Sequence, residues 1–176
     1  IYVDKSMLID KVSEAIHKPS NQYMCITRPR RFGKTLNANM LAAYYTKGYD
    51  SHELFNHLKI AQSIDYEKHM NQYNVIYIDF SILPEPCNSY QEYILWVKSA
   101  LINDLQTTYQ IKHVDNAPIS HTLKQTNDTF MFVLDEWDSI FYKEFMSDRD
   151  KQSFLQFLKG LLKDQPYVDL VYMTGV

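Results

Sequence analysis

The stretch "CITRPRRFGKTL", residues 25–36, decides how the whole chain is interpreted. It begins at the end of a short apolar run. It contains Gly33, Lys34 and Thr35, which form the second half of the phosphate-binding pattern G-x-x-x-x-G-K-[ST]. Arg28 stands where that pattern has its first glycine. Between a strand and a helix, such a loop presents successive backbone N–H groups to a phosphate. The stretch therefore predicts a strand, a phosphate-binding loop and a helix, in that order.

The apolar pattern outside the loop alternates between short runs and helical spacing, which is typical of a parallel sheet covered by helices. The predicted strands are residues 23–27, 74–80, 130–136 and 169–176. The predicted helices are residues 6–16, a segment directly after Gly33 with Leu36 on its apolar face, a segment begun by a Ser89–Glu92 capping box, and residues 150–162. We expect one α/β domain over residues 1–176, with a three-layer P-loop core and a mainly parallel sheet.

Composition limits the class of protein. Hydrophobic residues make up 45% of the chain, and no apolar run approaches the roughly 18 residues of a membrane span, so we expect a soluble protein that does not enter a membrane. Only two cysteines occur, and the first residues lack a secretory pattern; both features favour a cytoplasmic location. His52 and His57 are five positions apart, whereas the H-E-x-x-H zinc motif needs four.

The charge of the chain is concentrated at one place. A net charge of -3 argues against binding nucleic acid through the overall field of the protein. Three of the four arginines, however, lie in the loop, at Arg28, Arg30 and Arg31. Arg30 and Arg31 either reach a triphosphate, or pair with carboxylates that hold the loop, or are solvated charges beside a phosphate site.

Polar side chains follow three of the predicted strands, at the edge where open α/β sheets bind their ligands. In phosphate chemistry Lys34 would neutralise the β- and γ-phosphates, while Thr35 and Asp135 would hold magnesium as the Walker A and Walker B ligands. Glu136 follows Asp135 and is suited to orient and deprotonate an attacking water. Lys34 and Glu136 are therefore predicted catalytic residues.

Thr174 ends the fourth predicted strand and has two interpretations. In P-loop ATPases that use a catalytic glutamate, the strand after the Walker B strand lies between the first and third strands, and its polar end senses the γ-phosphate. Thr174 is the candidate for that role and is included among the predicted catalytic residues. Alternatively, its hydroxyl only satisfies a strand end or turn before Gly175.

Four stretches together resemble the AAA-ATPase-like proteins, a family of prokaryotic AAA-type ATPases. They are "YVDKS", "TRPRRFGKT", "LDEWD" and "MTGV", at residues 2–6, 27–35, 134–138 and 173–176. The family pattern has threonine where this chain has Ser6, and tyrosine where it has Trp137. The resemblance spans the whole chain and implies an AAA-like core that binds and hydrolyses ATP.

The resemblance also suggests partners. Family members are often followed by a domain similar to PD-(D/E)XK nucleases, so a nuclease-like domain or DNA is an expectation by analogy alone, and homo-oligomers are an open alternative. The core is expected to continue past Val176 with another strand and a helical lid, so we predict that it is incomplete at the C-terminus.

The leading hypothesis is therefore a magnesium-dependent ATPase that uses ATP and Mg²⁺ and releases ADP. The alternative is a nucleotide-gated switch that turns over rarely or not at all. Asp4 has an ordinary explanation at a helix start, and Lys5 has no assigned role. The predicted nucleotide-binding residues form one run: Arg28, Pro29, Arg30, Arg31, Phe32, Gly33, Lys34, Thr35 and Leu36.

Overall fold

Four parallel strands form an open sheet in the computed structural model, which describes residues 3–18, 20–29, 31–112 and 114–176. The strands are β1 (Tyr23–Thr27), β2 (Asn74–Asp79), β3 (Phe130–Asp135) and β4 (Val168–Gly175). Their order across the sheet is β1-β4-β3-β2, and every pairing is parallel. The α/β class and the parallel sheet are confirmed, and the last strand lies between the first and third, as expected for a P-loop core.

One α-helix precedes β1, and the other α-helices of the described residues lie between the strands. The helices are α1 (Met7–Ser13), α2 (Lys34–Tyr45), α3 (His52–Phe55), α4 (Tyr66–His69), α5 (Tyr90–Tyr109), α6 (Ile119–Gln125) and α7 (Asp148–Leu162). The opening helix is shorter than the predicted 6–16, because residues 14–17 continue as turns that end in a left-handed residue, His17, with φ of 61°. The brief helices α3, α4 and α6 were not predicted, since so few turns give no clear periodicity.

The described residues fall into two compact units. The first comprises Ile1–Asp79, Thr129–Trp137 and Val168–Val176, and the second comprises Phe80–Asp128 and Asp138–Tyr167. The whole sheet, the phosphate-binding loop and the polar strand ends belong to the first unit. The interpretation of residues 1–176 as one P-loop domain stays a prediction.

The core of the first unit lies where α1 and α2 pack with one another and with the sheet. All six residues of β3 are buried, as expected for a central parallel strand. The Tyr45 hydroxyl donates to the Ile9 carbonyl at 2.9 Å and so ties α2 to α1. Each large apolar side chain buried here contributes about 1.5 to 3 kcal/mol. The buried cluster includes Ile9, Val12, Ala38, Leu41, Tyr44, Tyr45, Met131, Val133, Leu170 and Tyr172.

The second unit contains α5, α6 and α7. Ser89 caps α5 as predicted, accepting from the Glu92 N–H at 3.2 Å, but the Glu92 carboxylate accepts from the Asn88 N–H at 2.7 Å and not from that of Ser89. A complete capping box begins α7, between Ser147 and Asp150. A half-open, mainly apolar groove of about 760 Å³ lies between α5, residues 116–120 and α7.

Within the part of the chain that the structure describes, no helix is both long and apolar enough to cross a bilayer.

Candidate functional site

The loop between β1 and α2 has the backbone of a phosphate cradle. Gly33 precedes α2 with φ of 74°, a left-handed conformation that glycine adopts without steric cost. The first N–H groups of α2 have no partner within the helix, and the helix dipole adds positive potential there. The N-terminus of α2 is thus suited to bind a phosphate group.

Arg28 does not need the conformational freedom of the glycine that it replaces. Its φ is not positive, and its N–H donates to the Gly175 carbonyl at 3.3 Å, which continues the pairing of β1 with β4. Left-handed positions lie later in the loop, at Arg31, with φ of 69°, and at Gly33. Arg30 lies outside the described residues. At position 28 the substitution of arginine for glycine therefore requires no left-handed backbone.

Lys34 joins the loop to the end of β3. Its side chain is 5% exposed, and its Nζ donates to the Arg28 carbonyl at 2.8 Å. The same nitrogen lies 3.6 Å from Oε1 of Glu136. Two residues 102 positions apart, predicted from separate motifs, thus meet at one edge of the sheet.

Asp135 is fully buried and is held by side chains from both neighbouring strands. One carboxylate oxygen accepts from the Thr174 hydroxyl of β4, and the other accepts from the Tyr77 hydroxyl of β2 at 3.3 Å. Burial, and then the charges of Asp135 and Asp79, raise the pKa of Tyr77. The phenol therefore stays protonated and donates, which fixes the orientation of the carboxylate.

Glu136 follows β3 in a left-handed conformation, with φ of 49°. Such a conformation costs a non-glycine residue about 1 to 3 kcal/mol and persists only where surrounding contacts enforce it. Its N–H donates to Oδ1 of Asp135 at 3.1 Å and to Oγ1 of Thr174 at 3.2 Å. These bonds fix the turn, while the carboxylate remains 26% exposed and faces Lys34.

Thr174 is fully buried and its hydroxyl is engaged twice, as donor to Asp135 and as acceptor from the Glu136 N–H. Its carbonyl accepts from the Trp137 N–H at 3.0 Å. The hydroxyl thus has both its partners at the end of β3, and both interpretations of Thr174 stay open. The role of a γ-phosphate sensor stays a prediction.

Four more of the predicted nucleotide-binding residues lie at the surface. Phe32 is 58% exposed and Leu36 is 56% exposed, while Pro29 and Thr35 are also exposed. The prediction that Leu36 belongs to the apolar face of α2 is wrong, whereas Leu41, Tyr44 and Tyr45, predicted for the same face, are buried. Leu36 lies on the first turn of α2 with its side chain largely exposed.

The oxygens expected to hold magnesium are few. Thr35 supplies a hydroxyl at the start of α2, and Asp135 supplies the carboxylate at the end of β3. Among the described residues, no group of three histidine, cysteine or acidic side chains is arranged to hold a metal. Magnesium keeps several waters and is usually held by one or two protein oxygens together with substrate phosphates. A hydroxyl and a carboxylate are oxygen ligands of the type that such an ion takes, and the assignment of Thr35 and Asp135 to Mg²⁺ stays a prediction.

Two residues at this edge were not predicted from the sequence to contact the site. Tyr77 lies inside an apolar strand, where an aromatic residue is ordinary, and only the register of β2 with β3 brings it beside Asp135. Lys5 donates from Nζ to the Phe32 carbonyl at 2.9 Å, across 27 positions of sequence. The "YVDKS" stretch was the one available signal for Lys5.

A loop with a left-handed glycine, a buried lysine and an Asp-Glu strand end thus lie together on a sheet of order β1-β4-β3-β2. A family model described as "Predicted AAA-ATPase" matches residues 1–176. The chain belongs to the AAA-ATPase-like family. Comparison with curated proteins gave no match.

Membership of the AAA-ATPase-like family gives the phosphate-binding loop a nucleotide context. The family description names an AAA-type ATPase, which binds ATP and usually uses magnesium. The arrangement of Lys34, Asp135 and Glu136 at one sheet edge is compatible with that chemistry.

Proposed function

We propose that the chain is a magnesium-dependent ATPase whose site lies at the carboxyl ends of β1, β3 and β4. The observation that carries the proposal is the 3.6 Å distance between Nζ of Lys34 and Oε1 of Glu136. At this distance, the lysine proposed to bind phosphate and the candidate general base can both contact a single phosphate group. Neither residue alone would distinguish a nucleotide site from an ordinary strand end.

In the proposed reaction a water attacks the γ-phosphorus of ATP in line with the bond to the β–γ bridging oxygen. That bond breaks, the oxygen leaves with ADP, and the water oxygen becomes part of inorganic phosphate. Glu136 accepts hydrogen bonds from the water and takes one of its protons. Its left-handed backbone, held by Asp135 and Thr174, keeps the carboxylate turned toward the loop.

Lys34 leaves the Arg28 carbonyl and binds the β- and γ-phosphate oxygens, while the N–H groups at the start of α2 stabilise the developing negative charge. Thr35 and Asp135 would hold Mg²⁺, which neutralises phosphate charge when bound. Tyr77 and Thr174 keep Asp135 oriented as a hydrogen-bond acceptor. Arg31 adds positive charge at the mouth of the loop.

The experiment measures steady-state phosphate release and ATP binding for wild type, Glu136→Gln and Lys34→Ala, with Lys124→Ala as a control because Lys124 is an exposed lysine of α6. We expect Glu136→Gln to bind ATP and to release phosphate about 10² to 10⁴ times more slowly. Lys34→Ala should lose most ATP binding, and Lys124→Ala should match wild type.

Two results would overturn the assignment in different ways. Wild type that binds ATP but releases no more phosphate than Glu136→Gln would be a nucleotide-gated switch and not an ATPase. If Lys34→Ala binds ATP as tightly as wild type, the site itself is elsewhere.

A further inference from the structure

Lys5 lies against the phosphate-binding loop, although it precedes β1 by many residues. Its Nζ donates to the Phe32 carbonyl at 2.9 Å. A Cβ atom built on Gly33 would lie 3.3 Å from the same nitrogen. The Lys5 ammonium therefore lies against Gly33, the left-handed residue that precedes α2.

The backbone on both sides of Lys5 is fixed. Asp4 accepts from the Ser6 N–H at 2.8 Å and from the Lys59 N–H at 2.8 Å. The buried Ser6 hydroxyl accepts from the Ile60 N–H at 3.1 Å. Asp4 and Ser6 thus tie this segment to the turn at Lys59–Gln62, and Lys5, between them, is aimed at the loop.

Packing does not explain the position of Lys5, because its side chain is exposed. An exposed lysine normally keeps its flexible side chain in water, and a single exposed contact to a neutral carbonyl contributes little to folding. The contact places a positive charge at the loop in a chain whose net charge is -3.

Lys5 and Lys34 contact opposite ends of the loop. Lys34 binds the carbonyl of Arg28 at its start, and Lys5 binds the carbonyl of Phe32 at its end. A carbonyl dipole turned toward a phosphate would repel it, so the Lys5 ammonium on the Phe32 carbonyl favours an anion beside the loop. Lys34 is buried and Lys5 is exposed, which leaves Lys5 accessible to the outer part of a polyphosphate.

We propose that Lys5 is a second lysine of the nucleotide site, a positioning residue whose ammonium orients the loop at Gly33 and attracts the polyphosphate of ATP. The inference rests on the proposed function, because it assigns a further residue to that site. It also gives the "YVDKS" stretch a function: Asp4 and Ser6 hold the segment, and Lys5 supplies the charge.

The test measures binding of the non-hydrolysable β,γ-imido analogue of ATP, with Mg²⁺, to wild type, Lys5→Met, Lys5→Arg and Lys11→Met. Lys11→Met is the matched control, because Lys11 is an exposed lysine on α1 and the substitution makes the same change of charge. Each protein is measured at about 0.05 M and 0.5 M salt, since the screening length falls several-fold over that range. Thermal unfolding without nucleotide shows that each variant is folded, and Lys5→Gln replaces Lys5→Met if the latter is not.

We expect Lys5→Met to weaken binding about 3- to 10-fold at low salt. The loss should shrink toward zero at high salt, and Lys5→Arg should stay within about 2-fold of wild type, because a charge and a donor are retained. A purely structural tie would give a loss that does not change with salt. That result, or equal binding by Lys5→Met and Lys11→Met, overturns the inference.

The outcomes separate this inference from the proposed function. If wild type binds the analogue, Lys34→Ala does not, and Lys5→Met equals Lys11→Met, only the role of Lys5 is wrong. If wild type itself does not bind, both proposals are wrong.

Discussion

Nζ of Lys34 lies 3.6 Å from Oε1 of Glu136, and the same nitrogen donates to the Arg28 carbonyl at 2.8 Å. The lysine is almost fully buried, so its charge requires partners at all times. In the structure these partners are the Arg28 carbonyl and the Glu136 carboxylate. In the proposed complex with ATP, the phosphate oxygens would compete with the Glu136 carboxylate for the charge of this nitrogen.

The competition predicts how Glu136→Gln affects binding. Removing the carboxylate frees Lys34 and removes a negative charge near the bound phosphates. The variant should therefore bind ATP as tightly as wild type or up to about 10-fold more tightly. Isothermal titration with the β,γ-imido analogue measures this separately from hydrolysis. Glu144→Gln is the matched control, because Glu144 is exposed. Binding more than about 3-fold weaker than wild type would contradict the competition.

Thr174→Val tests the hydroxyl that links Asp135 to the backbone of Glu136. The substitution keeps the volume but leaves two buried polar groups without this partner, so we expect a loss of about 1 to 3 kcal/mol in the free energy of unfolding. Phosphate release should also fall, because the left-handed turn at Glu136 loses one of the two hydrogen bonds that hold it.

Thr174→Ser is the control for Thr174→Val, since it retains the hydroxyl, and it should keep most of the activity. Urea denaturation measures stability, and phosphate release at saturating ATP measures the reaction. If Thr174→Val is as stable as wild type but inactive, the sensor interpretation gains and the strand-end interpretation fails.

His52 predicts a pH dependence of stability. Its Nε2 lies 2.9 Å from Glu67 and its Nδ1 lies 2.6 Å from Asp50. Hydrogen bonds to Glu67 first, and then to Asp50, raise the pKa of His52. The folded state therefore favours the protonated ring, and this contribution is present below about pH 6.5 and is lost as the pH rises through the higher folded pKa.

His52→Gln should accordingly lower the melting temperature more at pH 5.5 than at pH 8. Thermal unfolding at several pH values measures the difference, and NMR titration of the ring gives the pKa of His52 itself. His57→Gln is the control, because His57 is exposed and forms no ion pair among the residues that the structure describes. A loss of stability that is equal at both pH values would contradict the assigned cause.

The strands and the long helices were predictable because their patterns are local. Residues 23–27 are an apolar run that ends at a recognisable loop, and β1 has these bounds in the structure. The apolar stripe of α5 is buried throughout, at Tyr90, Ile94, Val97, Leu101 and Leu105. The turns α3 and α4, of four residues each, have no period to detect.

The contacts that complete the site were not predictable, because they depend on how distant segments meet. Tyr77 reaches Asp135 across 58 positions of sequence, through the register of two strands. Lys5 reaches the loop through a segment anchored by Asp4 and Ser6. Partners, oligomeric state and cellular location have no counterpart in these contacts and stay predictions.

Arg31 gives the last prediction, because it combines charge with an unfavourable backbone conformation. With φ of 69°, it occupies a region that costs an L-residue about 1 to 2 kcal/mol, whereas glycine adopts it freely. Arg31→Gly should therefore be more stable than Arg31→Ala by roughly that amount in urea denaturation. If Arg31 contacts the γ-phosphate of bound ATP, both substitutions should weaken the binding of ATP more than the binding of ADP. Equal losses for the two nucleotides would instead mean that Arg31 only shapes the loop.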